Sequence, residues 1–280
     1  MPRSHATPYS TVAVTLRPEA HFQPDYRRAR EAFLRAAEAR AALLDAYVLP
    51  ERGPGGEELA VDVAQLGPAQ PARLLAVSSG IHGVEGFAGS AVQHRLLVEQ
   101  WEGLDLPPDV GLLLVHALNP YGFAARRRVN ESNVDLNRNF LSHPDEHLPN
   151  PGYDELYEAI NPTRLDAESE REHLATLLAY GRTHGERTLQ EALTRGQYAY
   201  PEGVQFGGQD EEFSNRALRR IASAVAGAAR QVIWLDIHTG LGAFGEVELI
   251  TEYAPDHPVY ARGRRWFGER VRSTQAGESV

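Results

Sequence analysis

The chain contains no cysteine and no lysine. Without cysteine there is no disulfide framework and no thiolate ligand, so a bound metal would have to be held by His, Asp or Glu. Without lysine, a Schiff base and a Walker-type phosphate loop are both excluded as sources of chemistry. Long hydrophobic runs are missing as well. Nothing approaches the roughly eighteen apolar residues that span a bilayer, and no apolar stretch of signal-peptide length follows Arg3, so a cytoplasmic protein without membrane attachment is expected. Basic charge is also scarce. The formal net charge of −10 over 280 residues argues against a nucleic-acid binder, which normally carries a basic stripe.

The composition that remains, 42% hydrophobic and 24% charged, is that of a soluble globular protein. The spacing of Phe33, Ala37, Ala41 and Leu44 predicts an amphipathic helix over about 25–47. A turn at 52–58 follows, and then Leu59, Val61 and Val63 alternate like a half-buried strand. Three apolar runs, RLLAVSSG, VGLLLVHALNP and QVIWLDIHTG, read as strands buried on both faces. Helical segments lie between them, one at about 90–100 and one at about 214–229. Such runs predict an α/β three-layer sandwich with a mixed, mainly parallel sheet flanked by helices. Residues 1–280 read as a single domain carrying an insertion at about 141–213, with helices at 166–184 and 186–195. The loop GQYAYPEGVQFGGQ at 196–209 is either a lid or a packed surface excursion.

All three strand ends carry polar residues: His82 and Glu85, then Asn119, then Asp236 with His238. In open α/β sheets, sites form outside the carboxyl ends of strands, so these residues converge on one edge. Two histidines and a glutamate are a common catalytic zinc set, which leaves a fourth position for water. His-x-x-Glu alone is a weak signal, but LDIHTG repeats the context of a buried strand ending in histidine before glycine. Asp236, two residues upstream, is placed to orient ligands. A second cluster, RRRVNESNVDLNRNF at 126–140, offers Asn137 and Arg138 as a carboxylate clamp, because a planar guanidinium pairs bidentately with a carboxylate. Arg128 could supply positive charge to an oxyanion. His5, His21, His116, His143 and His257 have no partner at ligand spacing and read as surface or packing residues.

Taken in order, GIHGVEG, NPYG, RVNESNVDLNRNF and DIHTG resemble the zinc carboxypeptidase superfamily, the carboxypeptidase A-like peptidases and their deacylase relatives. The likeness is greatest to a bacterial branch of unknown function. The resemblance implies one zinc ion held by His82, Glu85 and His238. It also implies that Arg128 polarises the scissile carbonyl and that Asn137 and Arg138 grip the substrate's carboxylate. The superfamily's general base is a glutamate on a late strand. Only 42 residues follow His238, and Glu246, Glu248 and Glu252 read as solvent-facing, so the base is expected beyond residue 280 and the chain as a C-terminally truncated piece.

The leading expectation is therefore a zinc-dependent hydrolase that cleaves an amide bond next to a free carboxylate. Its partner would be a small peptide or N-acyl amino acid, with no nucleic acid and no membrane. The alternatives are an N-acyl amino acid deacylase, a non-catalytic zinc- or carboxylate-binding module without a base, and a metal-free α/β domain.

Overall fold

The computed structural model describes residues 17–104, 106–141, 147–226, 229–240 and 242–279; His5 and His143 lie outside them. The chain groups into two compact units, residues 1–238 and 239–280. In the first, five strands form one sheet in the order β1-β2-β4-β3-β5: β1 Leu43–Arg52, β2 Glu58–Leu66, β3 Arg73–Ser79, β4 Val110–His116 and β5 Gln231–Ile237. Strands β3 and β5 both run parallel to β4's direction, and β2 pairs antiparallel with β1 and with β4. Only β2 therefore opposes the rest, and the sheet is mixed and mainly parallel.

Helices cover both faces. Helix α1 (Tyr26–Ala39) begins where Asp25 accepts the backbone N–H of Arg28 at 2.9 Å, a side-chain cap for an otherwise orphan donor. Its Phe33, Ala36 and Ala37 pack with Ala64, Val77, Leu97, Leu112 and Leu114 on one face. Helix α2 (Gly86–Arg95) follows β3, and the short α3 (Pro120–Ala125) follows β4. On the other face, Val61, Val63, Leu74, Ala76, Leu113 and Val115 pack against Ile221 and the apolar stripe of the helix over 213–226. Period-2 alternation within each strand is what divides the core into these two layers.

Three expectations need correction. The helix predicted over 25–47 ends at Ala39, where Ala41 takes a left-handed φ of 54°, and residues 43–52 are β1 instead. Pairing with β2 through the turn at Gly53–Glu57 gives this backbone a ladder over Leu43–Val48 that resumes at Arg52 after an irregularity, and it outweighs helix propensity. Strand β2 is buried along most of its length rather than on one face. The polar residue in its pattern, Asp62, is fully buried and gripped by Arg30 of α1 at 2.7 and 3.0 Å. Strand β5 is half-buried, not buried on both faces, because it is the last strand of the sheet.

Inside the 141–213 region lie α4 (Pro151–Ile160), α5 (Ala167–His184) and α6 (Glu186–Thr194), followed after the loop by α7 (Phe213–Ala226). Helix α4 starts at an Asn150 cap and buries Tyr153 and Leu156. The 196–209 loop packs onto residues 135–139. Asp135 donates its backbone N–H to Phe206 O at 2.7 Å, Asn139 donates to Gly207 O at 2.8 Å, and Tyr198 donates its hydroxyl to Arg138 O at 2.6 Å.

The second unit, taken by itself, is a small β-α-β element: β6 (Leu249–Thr251) and β7 (Val271–Ser273) pair in parallel, with α8 (Pro258–Phe267) between them. His257 caps α8, and Glu246, Glu248 and Glu252 are exposed. No helix among the described residues is long and apolar enough to cross a membrane.

The loop after β3 depends on one close approach. A Cβ at Gly83 would lie 2.0 Å from the carbonyl carbon of Gly122 and 2.3 Å from Phe123 N, both backbone atoms that cannot swing aside. Gly83→Ala should therefore cost about 1–3 kcal/mol, the usual range for overpacking. Gly103→Ala, whose Cβ meets nothing within 4 Å, should leave stability unchanged. Urea unfolding of the two variants measures both.

Candidate metal centre

Strand β3 ends at Ser79, and the chain turns at Gly80 through a positive φ of 69°. The segment that follows is held against the arginine-rich stretch. Gly83 N–H donates to Arg128 O at 3.1 Å, Val84 N–H to Arg127 O at 3.0 Å, and the Asn119 side chain to Arg128 O at 3.1 Å. Asn119 also caps α3 by accepting the Gly122 N–H at 2.8 Å. NPYG is thus the bracket that fixes the turn carrying His82 and Glu85. Strand β5 delivers His238 from the neighbouring strand end, in a register that sets Asp236 beside Ser78.

These elements bring His82, Glu85 and His238 together, with one ligand atom from each within 4.8 Å of the others, so the group could hold a metal ion. Nδ1 of His82 lies 2.8 Å from Glu85 Oε1, and Nδ1 of His238 lies 3.2 Å from Glu85 Oε2. The ring centroids are 4.9 Å apart at an interplanar angle of 66°. His82 and the Glu85 side chain are nearly buried, whereas the His238 side chain is 37% exposed.

Each imidazole turns its other nitrogen to an aspartate. His82 Nε2 lies 3.4 Å from Asp135 Oδ1, and His238 Nε2 lies 2.8 Å from Asp236 Oδ2. Metal-binding histidines commonly use their second nitrogen in this way, which fixes the tautomer. With Nε2–H committed outward, a neutral ring points its Nδ1 lone pair at the Glu85 carboxylate. Two acceptors at hydrogen-bond distance repel unless a proton or a cation sits between them. Protons fill that role when no ion is bound: hydrogen bonds to Asp236 and Glu85 push the His238 imidazolium up to about 9. Burial would lower His82, but its bonds to Asp135 and Glu85 prevail and raise it.

Asp135 is the residue that the sequence reading passed over, although it sits inside the quoted DLNRNF. Fully buried, it accepts Asn137 N–H at 3.0 Å and Arg128 Nε at 3.0 Å in addition to facing His82. Burial alone would raise its pKa, but the His82 bond and the charges of Arg128 and Arg138 hold it well below the usual carboxylate range. Its signal in the sequence was a lone acid two residues before an asparagine in an arginine-rich loop, which no period or spacing separates from a turn-forming aspartate.

Arg128 is held between two carboxylates, with Nη2 at 3.0 Å from Asp135 and Nη1 at 4.0 Å from Glu85 Oε1. Asn137 is exposed, and its side-chain amide lies 3.2 Å from His82 Nε2. Arg138, on the same short 3-10 turn, reaches outward: Nη2 donates to Thr194 O at 2.7 Å, and the buried Nε has no hydrogen-bond partner among the described residues. The remaining described histidines stand elsewhere. His21 pairs with His94 and Glu99, and His116 is buried against Ser90 and stacked on Phe33.

Comparison with solved structures finds partial likenesses at low identity. Carboxypeptidase A from Helicoverpa armigera matches at 14% identity and a TM-score of 0.44, over 83% of this chain and 48% of that one. A metallo-carboxypeptidase from Burkholderia cenocepacia matches at 15% identity and a TM-score of 0.34, over 77% and 61%. A Shewanella frigidimarina protein described as a succinylglutamate desuccinylase/aspartoacylase matches at 17% identity and a TM-score of 0.35, over 71% and 46%. The chain spans about half the length of the first and third of these. No curated protein matches it. A family model does: residues 22–280 match the family described as "Protein of unknown function (DUF2817)", and the chain belongs to that family.

Proposed function

We propose that this chain carries the metal centre of a zinc-dependent hydrolase acting on an amide bond next to a free carboxylate. The observation that carries this reading is the arrangement of His82, Glu85 and His238, whose Nδ1 and carboxylate atoms face one another while both Nε2 atoms are held by aspartates. The donors fit zinc. Two imidazoles and a carboxylate are one of its common catalytic sets, and ligand atoms on a tetrahedral zinc stand about 3.4 Å apart, given bonds of about 2.0–2.1 Å. The two closest pairs here are 2.8 and 3.2 Å apart.

One bound zinc supplies Lewis acidity, polarising a carbonyl oxygen and acidifying water. The chain's own residues do the rest. Arg128 presents positive charge beside the cluster, where an oxyanion would develop, and its bond to Asp135 keeps it from swinging away. Asn137, exposed beside the cluster, offers a donor to a substrate carboxylate, and Arg138 would join it on leaving Thr194 O, which would set the register of the adjacent amide. The three carboxylates that touch the cluster, Glu85, Asp135 and Asp236, each engage a ring nitrogen. None of them is assigned as a general base. That observation favours, as a second reading, a module that binds zinc and a carboxylate ligand without turnover.

A panel of short peptides and N-acyl amino acids separates the readings. The zinc-loaded chain should hydrolyse members with a free carboxylate, and Arg138→Ala should lower kcat/KM on them by about 10²-fold, the scale of a misplaced substrate. Amidated analogues should be poor substrates for both proteins. Tight binding of the carboxylate ligands with no product would move the assignment to the binding module.

Zinc uptake should also release protons. At pH 7.5, below the His238 value of about 9, that ring carries a proton it must lose before Nδ1 can bind a metal. About one to two protons per zinc are expected near neutrality, and the His238 contribution disappears as pH rises above about 9. Calorimetry in buffers of different ionisation enthalpy measures the number. A value of zero at pH 7.5 would contradict a protonated His238 in the ion-free cluster.

A further inference from the structure

We infer that Trp234 and Ser78 are positioning residues for the metal centre, acting through Asp236 to fix which nitrogen of His238 faces the ion. This inference rests on the metal reading above. Indole Nε1 of Trp234 lies 2.9 Å from Ser78 Oγ, Ser78 Oγ lies 2.5 Å from Asp236 Oδ1, and Asp236 Oδ2 lies 2.8 Å from His238 Nε2. The direction of this chain is set at its far end. An indole N–H can only donate, so Ser78 accepts from Trp234 and spends its single proton on Asp236.

A hydroxyl on a carboxylate at 2.5 Å is a short, charge-assisted bond. It pins Oδ1 and leaves Oδ2 directed at His238, which must then carry its proton on Nε2 and turn the Nδ1 lone pair inward. Ser78 is 1% exposed and sits on β3 in direct register with Asp236 on β5. Its position is therefore as rigid as the sheet. Asp236 needs this help more than Asp135 does. Asp135 is fully buried and held by Arg128 and a backbone N–H, whereas the Asp236 side chain is 27% exposed on the last strand. Ser78, Trp234 and Asp236 also line an open, mainly apolar cavity of about 350 Å³ with Phe140, Leu218, Arg219 and Ala222; on that wall the indole N–H is directed at the Ser78 hydroxyl and the hydroxyl at the carboxylate.

The test compares zinc dissociation constants, by chelator competition, for the full chain and for Ser78→Ala, Ser78→Thr and Trp234→Phe. Circular dichroism checks that each variant folds. Ser78→Ala should bind zinc about tenfold more weakly, the lower end of what outer partners of metal ligands contribute, and Trp234→Phe should weaken it in the same direction. Ser78→Thr keeps the hydroxyl, and its extra methyl has the cavity to enter, so it should bind as the parent does. Cobalt substitution gives a second readout: the visible spectrum of Ser78→Ala should shift and that of Ser78→Thr should not. A folded Ser78→Ala or Trp234→Phe with parental affinity overturns the inference, as does a Ser78→Thr that loses as much as Ser78→Ala. If the parent chain takes up no zinc, the metal reading itself fails, and the two failures are thus distinguishable.

Discussion

A buried carboxylate must have its charge answered, and Asp135 is where this molecule answers it. With no exposed surface, it collects His82, Arg128 and the N–H of Asn137, and its own N–H goes to Phe206 in the loop over 196–209. Removing its cationic partner Arg128 would leave that charge underpaired in a site of low dielectric, where the penalty runs to several kcal/mol. The ring orientation of one histidine and the placement of Arg128 beside Glu85 follow from satisfying one side chain, and the same residue's backbone N–H helps dock the loop.

Around that anchor the two halves of the centre are built differently. His82 and Glu85 stand on a turn whose shape is dictated by backbone contact, with Gly83 against Gly122 and Phe123 and with N–H groups running to Arg127 and Arg128. His238 stands at a strand end, and its aim follows from sheet register, since Ser78 and Asp236 are paired neighbours. One half is positioned by packing and the other by the ladder. Both end in the same motif, an aspartate on Nε2 and a glutamate oxygen opposite Nδ1.

Much of this was legible in the sequence because strand ends leave a strong trace. Apolar runs that stop at glycine or proline mark where loops gather, and GIHGVEG and DIHTG place histidines at two such points. The arginine cluster was legible as a concentration of positive charge, and the structure sets Arg128 from it on Asp135 beside Glu85. Asp135 was not, because its role depends on burial, and burial in a loop has no period. The same limit explains β1 and β2. Residues 41–47 satisfy a helical spacing as well as a strand, and only the partner strand 58–66 decides between them. Asp62 looks like a solvent-side position in an alternating strand until Arg30, on another element, is known to reach it.

The protonation pattern ties the architecture to its chemistry. Without an ion, the cluster holds two imidazole nitrogens against one carboxylate, and the surrounding aspartates draw protons onto the rings, most strongly at His238. Those protons occupy the positions a cation would take. The scaffold does not need to rearrange to accept one, because the outer aspartates, the register of β3 with β5 and the Gly83 turn are already in place. On the metal reading proposed above, loading would be an exchange of protons for a metal within a fixed frame, with affinity set by how firmly the frame holds the rings and by the pH at which they give up their protons.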